Sequence, residues 1–180
     1  MLSIVIPAWG EQPALLDTLA SLVHAAAEGV VRDVALATPE ANDFLRRVAD
    51  SAGCELVEGP NDRGALVSQV AGRMKSPWIF VIEQGFAPGG EWMNEVANFV
   101  AREDASLPAK PRRGVLTLVP ERGWGVAERF VNLQTDLFGK SWPAQGLIAP
   151  RDTFASTVAG QTVRLRSPMH NRHGPGRYGP

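Results

Sequence analysis

The hydrophobic positions of this chain change period several times, and each change marks an element. Leu2-Ser3-Ile4-Val5-Ile6 is a short apolar, β-branched run closed by Pro7, the pattern of a buried strand. From Pro13 the spacing becomes helical: Leu15, Leu16, Leu19, Leu22, Val23 and Ala26 recur on one face, and Gly29 ends the pattern. A second strand is predicted over 33–37. Thr38-Pro39 reads as a cap and first-turn proline for a second helix, with Phe44, Leu45, Val48, Ala49 and Ala52 on its apolar face. A third strand is expected over 54–57, and Leu66, Val67, Val70, Ala71 and Met74 define a third helix. Trp78-Ile79-Phe80-Val81-Ile82 is a fourth strand, apolar throughout. Continuous apolar strands alternating with helices imply a parallel sheet covered on both faces. Right-handed crossovers then predict the order third, second, first, fourth.

The second half is less regular. Trp92, Met93, Val96, Phe99 and Val100 mark another amphipathic helix, and 105–113, with two prolines and three basic residues, reads as an exposed loop. A strand is expected over 114–119, a helix over 126–138, a short strand over 146–149 and a helix over 152–158. From Ser167 the chain is Pro, Gly, Arg and His with little to bury. The expected organisation is therefore one domain, residues 1–166, followed by a flexible basic tail, 167–180. Deleting 168–180 should then leave the melting temperature nearly unchanged.

Composition narrows the class. A chain of 180 residues, 44% hydrophobic and 21% charged, can build one substantial core. Its net charge of −1 gives no electrostatic reason to expect nucleic acid. No run approaches the roughly 20 apolar residues of a membrane span, and the first apolar segment is too short for a signal sequence. The single cysteine, Cys54, excludes an intramolecular disulfide and reads as a small buried residue beside an apolar run. These features fit a cytoplasmic protein, and a homo-oligomer is compatible with them.

In an open parallel sheet, ligands bind beyond the carboxyl ends of the strands. The segments there are Pro7-Ala8-Trp9-Gly10-Glu11, Thr38, Glu58 to Gly64, and Glu83-Gln84-Gly85. No Gly-x-Gly-x-x-Gly and no P-loop occurs, which argues against a dehydrogenase or an ATPase. Gly59-Pro60-Asn61-Asp62-Arg63-Gly64 has two readings: an anion-binding loop with Arg63 as clamp, or a tight turn with Asn61 or Asp62 as helix cap. Glu83 alone is a poor divalent site. His24 reads as a helix-surface residue, and His170 and His173 lack acidic or cysteine partners in the sequence around them.

Taken in order, these pieces resemble the family 2 glycosyltransferases of the GT-A fold. The resemblance runs through Leu2 to Pro7 with Glu11, Asp62-Arg63-Gly64 and the helix after it, and Trp78 to Gly85 with Pro88 and Trp92. It ends on Trp142-Pro143-Ala144-Gln145-Gly146-Leu147-Ile148. It implies a GT-A, Rossmann-like layered sandwich with a mostly parallel central sheet. It also implies a nucleotide-sugar site (UDP-, GDP- or dTDP-linked) formed by Pro7, Ala8, Glu11, Thr38, Arg63, Glu83 and Gln84. Trp142 and Gln145 would lie on the acceptor side. The family's Asp-x-Asp is here Glu83-Gln84-Gly85, Thr38 stands where an aspartate follows the second strand, and Ala144 replaces the aspartate before Gln145. No metal site is assigned; Mg²⁺ or Mn²⁺ would depend on the phosphates of a bound nucleotide-sugar. No catalytic residue is assigned either, Asp152 being the nearest candidate base. Two functions follow: transfer of a sugar from such a donor, or a catalytically degenerate relative that binds a sugar nucleotide or a partner protein.

Overall fold

The β-branched run at the start of the chain forms β1 (Leu2–Pro7), and helix and strand then alternate as the periodicity predicts. The computed structural model describes residues 1–10, 12–106, 112–119, 125–155 and 161–172. Glu11 and His173 lie outside the described residues, as does most of the loop expected over 105–113. After β1 come α1 (Ala14–Ala27), β2 (Val31–Thr38), α2 (Asp43–Ala52), β3 (Glu55–Glu58), α3 (Arg63–Ala71) and β4 (Trp78–Val81). Then follow β5 (Phe86–Pro88), α4 (Trp92–Ser106), β6 (Arg113–Leu118), α5 (Gly125–Phe138), β7 (Leu147–Pro150) and β8 (Thr162–Asn171).

One eight-stranded sheet runs β3-β2-β1-β4-β7-β6-β8-β5. The first four strands are parallel, in the predicted order. Beyond β4 the sheet becomes mixed: β7 pairs antiparallel with β4, Phe80 opposite Ile148, and β6 is antiparallel to β7 but parallel to β8. Two cores cover its faces. Ile4, Ile6, Trp78, Phe80 and Ile82 point one way, against Leu15 and Leu22 of α1, Leu45 of α2 and Val96 and Phe99 of α4. Val5, Ile79 and Val81 point the other way, against Leu66, Val67 and Val70 of α3. This alternation within continuous apolar strands is what burial on both faces requires. Burial also pushes the Cys54 thiol up, the direction of an unreactive cysteine. α5 leaves Phe130, Leu133, Leu137 and Phe138 exposed.

Three sequence expectations are corrected. The cap of α2 is Asn42, whose side chain accepts Leu45 N–H at 2.8 Å, and Thr38 instead ends β2. The helix expected over 152–158 is, in its described part, a 3₁₀ turn of Arg151–Phe154. The third concerns the segment from Ser167, expected to be a loose tail. Ser167 to Asn171 belong to β8, which inserts between β6 and β5. Leu165, Ser167 and Met169 alternate inward, and Met169 is fully buried. The strand is stapled by side chains as well. Arg164 makes a two-point contact with Asp136 (2.8 and 2.5 Å), and Glu95 accepts the backbone N–H groups of Arg166 and Ser167 at 2.7 and 2.6 Å. The polar side chains are therefore anchoring groups of an interior strand, and few large apolar residues are needed to hold it.

Deleting residues 168–180 should now lower the melting temperature by more than about 5 °C, because it removes a fully buried methionine and one end of an interior strand. Thermal denaturation of the truncated chain checks this; an unchanged midpoint would show that β8 is not needed. A second outcome concerns acid. Burial works to raise the Glu95 carboxyl, but the Ser167 hydroxyl, the two backbone N–H groups and the Arg166 charge hold it below the ordinary range. Asp136 is lowered in the same way by Arg164. A carboxylate depressed in the folded state stabilises the fold above its unfolded pKa, and loses that contribution as pH falls through the folded value. Melting temperature should therefore decline from about pH 4 downward, with Glu95→Gln less stable than the parent at neutral pH and less sensitive to acid.

Candidate functional site

The four parallel strands end together, and backbone hydrogen bonds tie their ends. Ala8 N–H reaches Ala37 O at 2.8 Å, and Gly59 N–H reaches Thr38 O at 3.0 Å. Pro7 and Ala8 are both buried, Ala8 completely, so they shape the floor of the strand ends and present almost no exposed surface there. Thr38 is also buried, and its hydroxyl is used locally, donating to Glu40 O at 2.9 Å.

Glu83 and Gln84 emerge directly after β4 and have different tasks. The Gln84 amide pairs with the Trp9 backbone in both directions, accepting Trp9 N–H at 3.3 Å and donating to Trp9 O at 3.2 Å. It fastens the loop after β1 to the loop after β4. The chain then turns: Phe86 N–H returns to Glu83 O at 3.1 Å, and Gly85 sits at φ +82. Gly85 N–H donates to the Thr18 hydroxyl at 2.8 Å, and its carbonyl accepts Arg172 N–H from the end of β8 at 2.6 Å. A position with that φ, buried and bonded through both backbone groups, favours glycine over any side chain.

Arg63 is the first residue of α3. Asp62 caps this helix, accepting Ala65 N–H at 2.8 Å, so the loop does supply the helix cap. The cap leaves Arg63 directed across to β4. Its Nε donates to Glu83 Oε1 at 2.9 Å and its Nη2 donates to the same oxygen. The carboxylate is nearly buried, with 9% of its side chain exposed, while 39% of the arginine side chain remains accessible. Glu83 thus holds the guanidinium, and the guanidinium shows its other edge to solvent. Nη1 has no protein partner among the described residues.

Arg63 borders a cleft of about 240 Å³, which it lines together with Gly64, Val67 and Val81 from the first half of the chain and Ser141, Trp142, Pro143, Leu147 and Phe154 from the second. Arg63 and Trp142, assigned from separate motifs, therefore share one cavity. Trp142 Nε1 has no hydrogen-bond partner among the described residues, and Lys140 Nζ lies 5.2 Å from its ring centroid. Gln145 is placed differently. It is fully buried, accepts Trp142 N–H at 3.1 Å and the Thr135 hydroxyl at 3.0 Å, and donates to Asn132 at 3.3 Å. It fixes the Trp142 segment and is not among the residues that line the cleft. Gly146 beside it sits at φ +67, where an added Cβ would lie 2.7 Å from Phe80. Asp152 is not brought to the group: it is exposed, next to Arg151, which is bonded to Pro77 O and Met74 O before β4 begins. Phe154 and Ser141 line the cleft without any motif having marked them; an aromatic residue shortly after an apolar strand was the only signal.

No family model matches the chain, and no curated protein sequence matches it. Solved structures do. Glucosyl-3-phosphoglycerate synthase from Mycobacterium tuberculosis, in complex with Mn²⁺, UDP and phosphoglyceric acid, superposes with a TM-score of 0.55 at 16% identity, over 97% of this chain and 71% of that one. The same enzyme with Mn²⁺, UDP and glucosyl-3-phosphoglycerate gives 0.58 at 15% identity, over 97% and 72%. Residues 1–349 of TarS from S. aureus give 0.54 at 11% identity, over 68% and 37%. The fold is that of the GT-A glycosyltransferases. The described residues at the strand ends do not fit a divalent ion, however. Glu83 Oε1 is taken by Arg63, Gly85 supplies no carboxylate, and among the described residues no three of His, Cys, Asp and Glu cluster.

The turn at Gly85 is open to a direct test. Gly85→Ala forces a Cβ onto a left-handed position and should cost on the order of 1 kcal/mol or more, a drop of several degrees in melting temperature. Thermal denaturation measures it; an unshifted midpoint would mean that the turn relaxes without cost.

Proposed function

We propose that this chain binds a nucleotide-sugar at the carboxyl ends of β1 to β4 and acts as a glycosyltransferase-like protein, with UDP as the nucleotide. The observation that carries this reading is the partly accessible Arg63 side chain lining the cleft beside the start of α3 and the end of β4, within a GT-A fold. One solved neighbour of the fold, glucosyl-3-phosphoglycerate synthase, was crystallised with UDP. The diphosphate would face Arg63. The base and ribose would lie over the floor that buried Pro7, Ala8 and Thr38 form, beside the Gln84-fastened Trp9 loop; Glu11, outside the described residues, is assigned to the nucleotide by the resemblance alone. Trp142 would offer an aromatic wall on the acceptor side, and Gln145 would hold that wall in place.

The chemistry that follows is electrostatic. In sugar transfer, the bond between the anomeric carbon and the β-phosphate oxygen breaks, and negative charge grows on the departing diphosphate. A fixed guanidinium aimed at that oxygen stabilises the charge without reorganising as it forms. Arginine suits the task because its planar fork stays charged and matches two phosphate oxygens at once.

Calorimetric titration of the full chain with UDP-glucose, GDP-mannose and dTDP-glucose tests the reading. Saturable binding of the UDP-sugar, competed by UDP, is expected; no binding of any of the three at millimolar concentration would overturn it.

A further inference from the structure

Glucosyl-3-phosphoglycerate synthase, a solved neighbour of this fold, was crystallised with Mn²⁺ and UDP, whereas the carboxylate that follows β4 here is engaged by a protein cation. Both donors, Nε and Nη2, converge on one oxygen of Glu83, and the carboxylate is almost closed off from solvent. A divalent ion would have to displace the guanidinium or sit against it, like charge to like charge. The second carboxylate that would repay such a displacement is missing, because Gly85 is required by the turn. A buried carboxylate also needs a partner continuously, and Arg63 is the partner present.

We infer that Arg63, oriented by Glu83, takes the place of the divalent ion, so that the diphosphate is bound by a cation the protein itself carries. The inference rests on the nucleotide-sugar reading for its natural ligand, but the anion site stands on the geometry of Arg63, Glu83 and the cleft. Glu83 is then a positioning residue. It fixes one edge of the guanidinium and leaves Nη1 without a partner among the described residues, on an arginine that lines the cleft, where Val67, Trp142 and Phe154 supply apolar walls that strengthen a charge-assisted contact. The site binds diphosphate in chelator as well as in metal, and added Mn²⁺ does not tighten it.

The test uses the full chain and two probes, inorganic pyrophosphate and UDP, each titrated by calorimetry in EDTA and in excess Mn²⁺. Wild type should bind both in EDTA, with no tightening by Mn²⁺. Removing Arg63 alone leaves a buried charge and risks misfolding, so the main variant is the charge-neutral double change Arg63→Met with Glu83→Gln, its folding checked by thermal denaturation. It should weaken both probes in EDTA on the order of 10- to 100-fold. Glu83→Gln alone keeps an acceptor for Arg63 and should stay within about threefold of wild type, whereas Glu83→Ala releases the arginine and should weaken binding further; rescue by glutamine separates positioning from charge. Tenfold or greater tightening of UDP by Mn²⁺, or a double variant that binds pyrophosphate like wild type, would overturn the inference while leaving the nucleotide-sugar reading intact. Pyrophosphate bound in EDTA but UDP and UDP-sugars bound under no condition would support the anion site and overturn the nucleotide reading. Failure of both probes in both media would overturn both.

Discussion

Everything at the candidate site depends on β4. Trp78 to Val81 is apolar at every position, is buried on both faces, and lies between β1 and β7 in the middle of the sheet. Such a strand has no solvent-facing side to set its register, so its neighbours set it. Parallel pairing with β1 aligns Val5 with Val81, and antiparallel pairing with β7 aligns Val81 with Leu147. One strand end therefore brings together the loop after β1, the first turn of α3 and the Trp142 segment. Glu83 is the first charged residue after this apolar run, and it emerges where water is already largely excluded.

That placement creates an electrostatic demand. A carboxylate with little solvent must be matched by a nearby cation or be held neutral. Arg63 meets the demand from α3, and the helix cap at Asp62 sets the direction from which it arrives. The same interior imposes a steric demand two residues later, where the chain reverses at Gly85 to begin β5. Charge and turn geometry together shape the strand end, and neither leaves room for a second acidic group there.

How far each element could be read from the chain follows from its physics. Strands buried on both faces appear as continuous apolar runs, and their helices carry strong 3.6-residue periodicity, so β1 to β4 with their order were accessible. β8 was not, because its inward positions include Ser167 beside Leu165 and Met169, and its anchors are Arg164, Asp136, Glu95 and backbone groups. To a hydrophobicity count such a strand looks like tail. β5, with three residues, is too short for any periodicity. At the site, residue types after the strands pointed to Arg63, Glu83 and Gln84, and the family resemblance pointed to Trp142. Their pairings stayed hidden because contacts across 20 residues (Arg63 to Glu83) or 75 residues (Gln84 to Trp9) leave no local signature. Gln145 shows the converse: a polar residue inside a recognisable motif reads as a contact group, although its bonds to Thr135, Asn132 and Trp142 place it in the interior.

The cleft joins halves of the chain that are built on different rules. Arg63, Gly64 and Val67 come from the parallel half, where right-handed crossovers dictate the layout. Trp142, Pro143 and Leu147 come from the mixed half, where position depends on β7 running back along β4. The side that would meet phosphate charge is thus set early in the chain and is carried by a helix and a buried strand. The side that would meet an acceptor hangs on a 3₁₀ turn braced by Gln145 and by the close approach of Gly146 to Phe80. Residues in that turn can vary in shape without disturbing the parallel strands, provided the glutamine and the glycine stay. A change at Glu83 or Arg63 has no such freedom, because it alters the charge balance at the end of the central strand.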